Sequence, residues 1–370
     1  MIGLEGGWTI KFTVNKLIDF MKFNDLVEFT ILEESGNILP KFQLSFQYDT
    51  DIGQYLNEGN SLKFSYGKKI DDLKDSELII SKAEHSGAGT KYTYVLSGFI
   101  NSRDYLSNKL YSIQRGNTAD IISTIANKHF TVVSNVTSND NQVWIQPTIS
   151  DKAFVNHMLM RSNTKGIPFI GITYDKKFIF KDLIKDVTNK PSWILSLSSE
   201  KTNALKYNKD FTIIDNTGFN NSWQGYGKLR PYHNLLDGTY NNYTIAQKSV
   251  LSNSSSLNRR SSSTSEKELG FTQSDNMHTN YWKSFQTNMI NMSMMTNIKV
   301  EIDLDNDNSG VTLLDQVMLM DSENNKQESI ELYSGKYYIG RIIRRLQNGK
   351  FDTMIDIYRD YFNVLTGTFK

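Results

Sequence analysis

Residues 334–360 read SGKYYIGRIIRRLQNGKFDTMIDIYRD, two alternating runs of apolar and charged residues on either side of Asn348-Gly349. An Asn-Gly pair between such runs favours a two-residue type I′ turn, because both central residues must take positive φ. That turn fixes the register of everything behind it. Gln347 then faces Lys350, Arg345 faces Asp352 and Arg341 faces Asp356, with Ile343/Met354 and Ile339/Tyr358 on the same face. The other face pairs Leu346 with Phe351 and Ile342 with Ile355, and sets Gly340 beside Ile357. Opposite charges in cross-strand register contribute about 0.2–1 kcal/mol each. Arg341, Arg345, Asp352, Asp356 and the turn residue Gly349 are therefore candidate structural or interface residues rather than a catalytic cluster. Gly340 is expected to mark a bulge or a close backbone approach.

The same two-residue period opens the chain. LVEFTILEESGNILPKFQLSF alternates at Val27, Phe29 and Ile31, turns at Ser35-Gly36-Asn37, and alternates again at Phe42, Leu44 and Phe46. SLKFSYGKK and SELIISKAEHSGAGTKYTYVLSGFI continue it, with SGAGT read as the turn between two strands. Its GxG fragment lacks the rest of a nucleotide fingerprint and a following helix.

From residue 101 the period changes. In GNTADIISTIANKHF, Asn117 is placed to cap a helix whose Ile121, Ile122, Ile125 and Ala126 share one face. A strand QVWIQP leads to a second helix, capped by Ser150 or Asp151, with Phe154, Val155, Met158 and Leu159 at helical spacing. GIPFIGITYDKKFIFKDL returns to strands around Asp175-Lys176-Lys177. Residues 101–192 thus form a mixed α/β middle unit within a mainly β chain.

Strands resume near WILSLSSE. Ser249 to Glu268 is Ser-rich with almost no apolar content, too little to offset ordering entropy, and is expected to be a long exposed or disordered loop. A helix follows, with Trp282, Phe285, Met289 and Met292 as its core-facing stripe. NIKVEIDL and VTLLDQVMLMD then read as strands before the closing hairpin.

Composition narrows the function classes. Apolar residues make up 38% and aromatics 12%, which fits an ordered β-rich protein. The 41 basic and 40 acidic residues leave a net charge of +1, without the clustered basic excess of a nucleic-acid binder. Absence of Cys removes disulfides, thiolate metal sites and Cys nucleophiles together. The first residues lack the basic, apolar and small-residue succession of a signal peptide, and no run of 18 apolar residues occurs, so neither signal-directed secretion nor a membrane span is expected.

No motif carries chemistry. His85, His129, His157, His233 and His278 are scattered singly and are expected at the surface or at strand edges. Asp305, Asp307, Ser309 and Gly310 match the first half of an EF-hand loop, but Gln316 stands where the bidentate carboxylate belongs and the flanks read as strands. The GxSxG elbow and the P-loop are missing. No catalytic, cofactor-binding or metal-binding residue is assigned.

Three stretches resemble the baseplate hub proteins of tailed phages and related injection machines, including the hub portion of type VI secretion spikes. FTILEESGNILPKFQLSFQYDTDIGQYLNEGNSLKFSYG, with Leu56, Gly59 and Leu62, resembles the family's first barrel. RGNTADIISTIANKHF and WIQPTISDKAFVNHMLMRSNTKGIPFIGITYDKKFIF resemble its helix-strand-helix-hairpin unit. YWKSFQTNMINMSMMTNIKVEIDL, VTLLDQVMLM and the opening hairpin resemble its closing series. The family usually has a Gly just before the strand corresponding to VMLM, where this chain has Asp315.

The resemblance implies a β-barrel-like domain at 1–100, the α/β unit at 101–192, and a second β-barrel-like domain at 193–370 interrupted by insertions, including the Ser-rich loop at 249–268. It further implies a homotrimeric ring that adapts the tail tube protein to a central spike protein, forms part of the DNA conduit and meets other baseplate proteins. Such a protein has no turnover and no cofactor, and resides in the virion tail after assembly in the host cytoplasm. A receptor- or glycan-binding β protein of a tail fibre is the alternative, with Trp223, Tyr226 and Tyr232 as its candidate platform. A cell-wall hydrolase ranks below both.

Overall fold

A computed structural model describes residues 2–3, 9–14, 18–19, 25–67, 74–88, 90–187, 189–196, 204–215, 228–233, 240–245, 281–304, 310–319, 335–347 and 350–360. The chain is mostly β. Its first third holds β1 (Ile2–Gly3), β2 (Thr9–Val14), β3 (Ile18–Asp19), β4 (Leu26–Glu34), β5 (Lys41–Tyr48), β6 (Ser61–Gly67), β7 (Lys74–Ala88) and β8 (Lys91–Ile100). The middle runs α1 (Arg103–Ser107), β9 (Lys109–Gly116), α2 (Thr118–Ala126), β10 (Thr131–Ser134), β11 (Gln142–Ser150), α3 (Asp151–Arg161), β12 (Pro168–Ile172), β13 (Lys177–Asp182) and α4 (Leu183–Val187). The last part holds β14 (Trp193–Ser196), β15 (Ala204–Asp215), β16 (Lys228–His233), β17 (Tyr240–Ile245), α5 (Tyr281–Met295), β18 (Ile298–Leu304), β19 (Gln316–Leu319), β20 (Gly335–Gln347) and β21 (Lys350–Arg359).

Strands of the first third pair in the order β1-β2-β6-β7-β8-β5-β4, and β4 passes on to β20. From there β20 pairs with β19, β19 with β14, β14 with β15, β15 with β18, β18 with β21, and β21 with β20 again. That second path returns to its starting strand. The thirteen residues of β20 therefore serve both halves: Gly335–Tyr338 face β19, while Arg341–Gln347 face β4.

Packing follows the alternation. Phe29, Ile31, Phe42, Leu44, Phe46, Leu62, Phe64 and Leu96 turn inward from the first sheet and meet Ile122, Phe154, Met158 and Phe178 of the middle unit in one core. A second core gathers Val300, Ile302, Tyr338, Ile339, Ile342, Ile355 and Ile357 with Leu313 and Leu314. The half-buried Met292 of α5 packs against both.

Helices α2 and α3 start where their caps dictate. Asn117 accepts from the Ala119 N–H and Ser150 from the Ala153 N–H, each satisfying an amide that the first turn leaves open. At Leu56-Gly59-Leu62 the two leucines are buried, and Gly59 takes φ +84° while its N–H donates to the Ile80 carbonyl at 2.8 Å.

Several sequence expectations shift. Val27 is exposed, because a bulge between Leu26 and Glu28 rotates it out of the Phe29–Ile31 face. The connection between β7 and β8 falls within SGAGT as expected, but Ser86, Gly87 and Ala88 already belong to β7 and Ala88 pairs with Lys91, so it is shorter than that stretch. VTLL is not a strand: Leu314 takes φ +62° in a turn closed by Asp315 N–H to the Thr312 carbonyl at 3.2 Å, and only Gln316–Leu319 pairs. Among the described side chains of α5, Tyr281, Ser284, Asn288 and Met295 are buried, whereas Phe285, Met289 and Met292 are only half-buried. Polar Asn288 turns inward because it donates to the carbonyls of Leu159, Met160 and Ser162 at 3.3, 3.2 and 2.9 Å, capping the end of α3. The Ser-rich tract at 249–268, Asp305, Asp307, Ser309, Trp223 and Tyr226 lie outside the described residues, as do the side chains of Trp282 and Tyr232.

Candidate functional site: the junction on strand β20

Five expected pairs around the closing turn are present: Gln347 with Lys350, Leu346 with Phe351, Arg345 with Asp352, Ile343 with Met354, and Ile342 with Ile355. Arg341 also stands opposite Asp356. Beyond it the ladder slips by one residue. Ile339 pairs with Ile357 and Tyr338 with Tyr358, which corrects the expected Ile339/Tyr358 and Gly340/Ile357 partners. Gly340 is the extra residue of this bulge. A Cβ there would lie 2.3 Å from the Tyr358 ring. Its carbonyl instead accepts from the Ser35 N–H at 2.7 Å, which ties the end of β4 to the point where β20 changes partners. Next door, Gly36 at φ +109° donates its N–H to the Ile170 carbonyl of β12 at 2.6 Å. Asn348 and Gly349 lie outside the described residues.

The outer face of β20 carries the paired charges. Arg341 Nη1 is 3.2 Å from Asp356 Oδ2, and Lys299 Nζ of β18 approaches the same oxygen to 3.7 Å. Burial raises the Asp356 pKa above the ordinary carboxylate value, against the downward pull of Arg341 and Lys299. Arg345 reaches the other way, its Nε 3.8 Å from Glu28 Oε1 on β4. The charges thus link β18, β21, β20 and β4 in a row.

The inner face holds an ion pair that hairpin register alone does not reveal. Arg344 shares the core face with Ile342 and Leu346, and its guanidinium pairs with Glu33 on β4; the side chains are 3% and 1% exposed. Arg344 Nη2 donates to the Val311 carbonyl at 2.7 Å, and the guanidinium stands 5.2 Å from the Tyr174 ring centre. Glu33 Oε1 accepts from the Tyr174 N–H at 2.9 Å, while Ser76 Oγ donates to the Tyr174 carbonyl at 2.6 Å. One buried pair therefore joins β4, β20, the β12–β13 turn and the segment before β19. Burial pushes the Arg344 guanidinium down to about 10, which leaves it charged at neutral pH. The sequence did hold a signal: Arg344 and Glu33 are opposite charges on the apolar faces of two alternating strands, and charges are buried when they are paired.

Among the described residues, no three of His, Cys, Asp and Glu are grouped to hold a metal ion. His129 departs from the surface position expected of it. It is largely buried, with Nε2 2.8 Å from Asp151 Oδ2, and Gln146 holds the other oxygen of that carboxylate at 2.9 Å. His85 and His157 are exposed, while His278 and the His233 side chain lie outside the described residues. Asp315 accepts from Lys181 Nζ at 3.2 Å and from Trp193 Nε1 at 3.3 Å, so its carboxylate fastens β13 and β14 to the turn before β19. No helix among the described residues is long and apolar enough to cross a membrane.

Placed beside solved structures, the chain aligns almost end to end with a tail protein from Neisseria meningitidis MC58, at a TM-score of 0.60, 12% identity, 96% of this chain and 97% of that one. It has the fold of phage tail proteins. The 43 kDa tail protein of prophage MuSo2 from Shewanella oneidensis matches at 0.60 and 9% identity, over 95% of this chain and 98% of that one. The Escherichia coli c3393 protein, a type VI secretion component described as similar to the T4 tail proteins gp27 and gp5, matches at 0.52 and 8% identity, over 96% and 80%. No family model matches the sequence, and no curated protein matches it in sequence either. The likeness is therefore one of fold, at 8–12% identity.

Proposed function

We propose that this chain is a structural hub of a phage baseplate or a related injection machine. Three copies form a ring that adapts the tail tube to the central spike, and the opening of the ring serves as part of the DNA conduit. The observation that carries this reading is the end-to-end likeness to tail proteins.

In this reading residues 1–100 and 193–370 are the two barrel-like domains, with 101–192 between them, and the strand path that returns to β20 supports the second. A mechanical role suits the junction, where the buried Arg344–Glu33 pair and the more exposed Arg345–Glu28 pair tie β20 to β4. Near-zero net charge suits a conduit, since a basic lumen would hold DNA through phosphate contacts. Its partners are the tail tube, the spike and other baseplate proteins, and it performs no turnover. Its location is the virion tail, after assembly in the host cytoplasm.

Immunogold labelling of intact particles with antibodies to this chain is the test. Label confined to the end of the tail tube is expected; label along the fibres would replace the hub by the receptor-binding alternative.

A further inference from the structure

Exposed apolar side chains are concentrated on one element. Among the described residues eight large ones are exposed, and four of them, Leu110, Tyr111, Ile113 and Ile145, belong to the β9–β11 ribbon. Scattered singly such residues are ordinary, but a contiguous row marks contact with another molecule. Tyr111, 71% exposed, stands opposite Pro147, Ile113 opposite Ile145, and Arg115 opposite Val143. A slip of one residue cannot hide this row, because the inward face is pinned: Trp144 Nε1 donates to Thr118 Oγ1 at 3.0 Å and Gln146 Nε2 to Asp151 Oδ1 at 2.9 Å.

Lys109 and Arg115 share the outward face of β9 with Tyr111 and Ile113, one cation at each end of the row, and neither strand contains Asp or Glu. Of the nearest carboxylates in the chain, Asp140 and Asp151 are buried and engaged, the first by the Thr118 N–H at 2.8 Å and the second by His129 at 2.8 Å. Asp104 and Asp120 are exposed, but on helices α1 and α2 rather than on the ribbon. A second copy of the ribbon is a poor match: paired about a two-fold axis in either direction, the rows set cation against cation. Area also speaks against a protein partner held by this row. Seven residues at about 3.3 Å each, on two strands about 4.8 Å apart, present on the order of 200 Å², against about 800 Å² per partner in a stable complex. A lipid surface needs no matching shape. It accepts an apolar row at the boundary of headgroups and acyl chains, a Tyr hydroxyl at headgroup level, and Lys and Arg against anionic headgroups.

We propose that the β9–β11 ribbon is a membrane-surface contact, which lays Tyr111, Ile113 and Ile145 on an anionic bilayer with Lys109 and Arg115 against its headgroups. The contact lies on the surface and spans nothing. It goes beyond the hub reading and does not rest on it.

Flotation of the full chain with vesicles of phosphatidylcholine, alone or mixed in equal parts with phosphatidylglycerol, tests it. The chain is expected to float with the mixed vesicles and more weakly with the neutral ones, and high salt should narrow that difference. Tyr111→Ser, Ile113→Ser and Ile145→Ser together should weaken flotation by about tenfold or more, since three apolar side chains leave the lipid. Their exposure should leave the thermal midpoint of the same variant unchanged. Lys109→Gln with Arg115→Gln should remove the preference for anionic vesicles. A triple variant that floats as well as the unmodified chain, or equal binding to both vesicles, would overturn the proposal. A chain that floats with neither vesicle would also overturn it, and would leave the row to a protein partner.

Discussion

Glu33 and Arg344 show how much one pair of side chains carries. Removing one member of a buried ion pair leaves the other charged and unpaired, which costs about 3–5 kcal/mol. Glu33→Ala should lose that much in denaturant unfolding, since Arg344 keeps only the Val311 carbonyl and the Tyr174 ring. Replacing both residues by Met should cost less than the two single changes added together; strict additivity would mean that they do not act as a pair. Asp356 makes a prediction of opposite sign. Its pKa is raised on folding above the ordinary 3.8, so the folded chain binds more protons than the unfolded chain in the window just above that value. Stability then falls as pH rises through the window. Compared with Asp356→Asn, the unmodified protein should lose stability as the pH rises above the ordinary carboxylate value of 3.8, and a difference that stays flat would contradict the assignment. Alternation made the paired charges of the outer face legible, but it names only positions. That Arg344 reaches a strand more than three hundred residues away depends on which strand lies beside β20, and local periodicity carries no such information.

Among the elements, β20 is the one both halves depend on, and its bulge at Gly340 lets it turn from β19 to β4. Gly340→Val would drive a side chain into the Tyr358 ring, at a cost of about 1–3 kcal/mol or more, with the near-ultraviolet signal of the tyrosines disturbed. A variant of unchanged stability would show that the bulge is not needed. Asn288→Leu removes the donor to three carbonyls at the end of α3 and should cost about 1–3 kcal/mol, read as a lower thermal midpoint. The helices at Asn117 and Ser150 were readable because a cap and a 3.6-residue period agree on one place. The inward face of α5 was not, since Asn288 is buried for its hydrogen bonds and hydrophobic spacing points instead to Phe285 and Met289. VTLL misled for a related reason: a short apolar run looks the same whether it is a strand or a buried turn.

At the scale of the whole molecule, alternating hydrophobicity and turn chemistry were enough to divide the chain into strand-rich ends and an α/β middle. They do not reveal that β4 and β20 make the two ends one continuous sheet, because that pairing spans almost the full chain. Such long-range pairing is settled by complementary faces rather than by any short motif. The pairing couples the first and last thirds through one sheet, which suits the adaptor between a tube and a spike proposed above. The central claim is that three such bodies close into a ring. Light scattering of the purified chain, read together with negative-stain images of the same sample, tests it most directly. The account predicts a particle of three times the chain mass with a central opening and threefold symmetry. A strict monomer, with or without bound sugar, would contradict it.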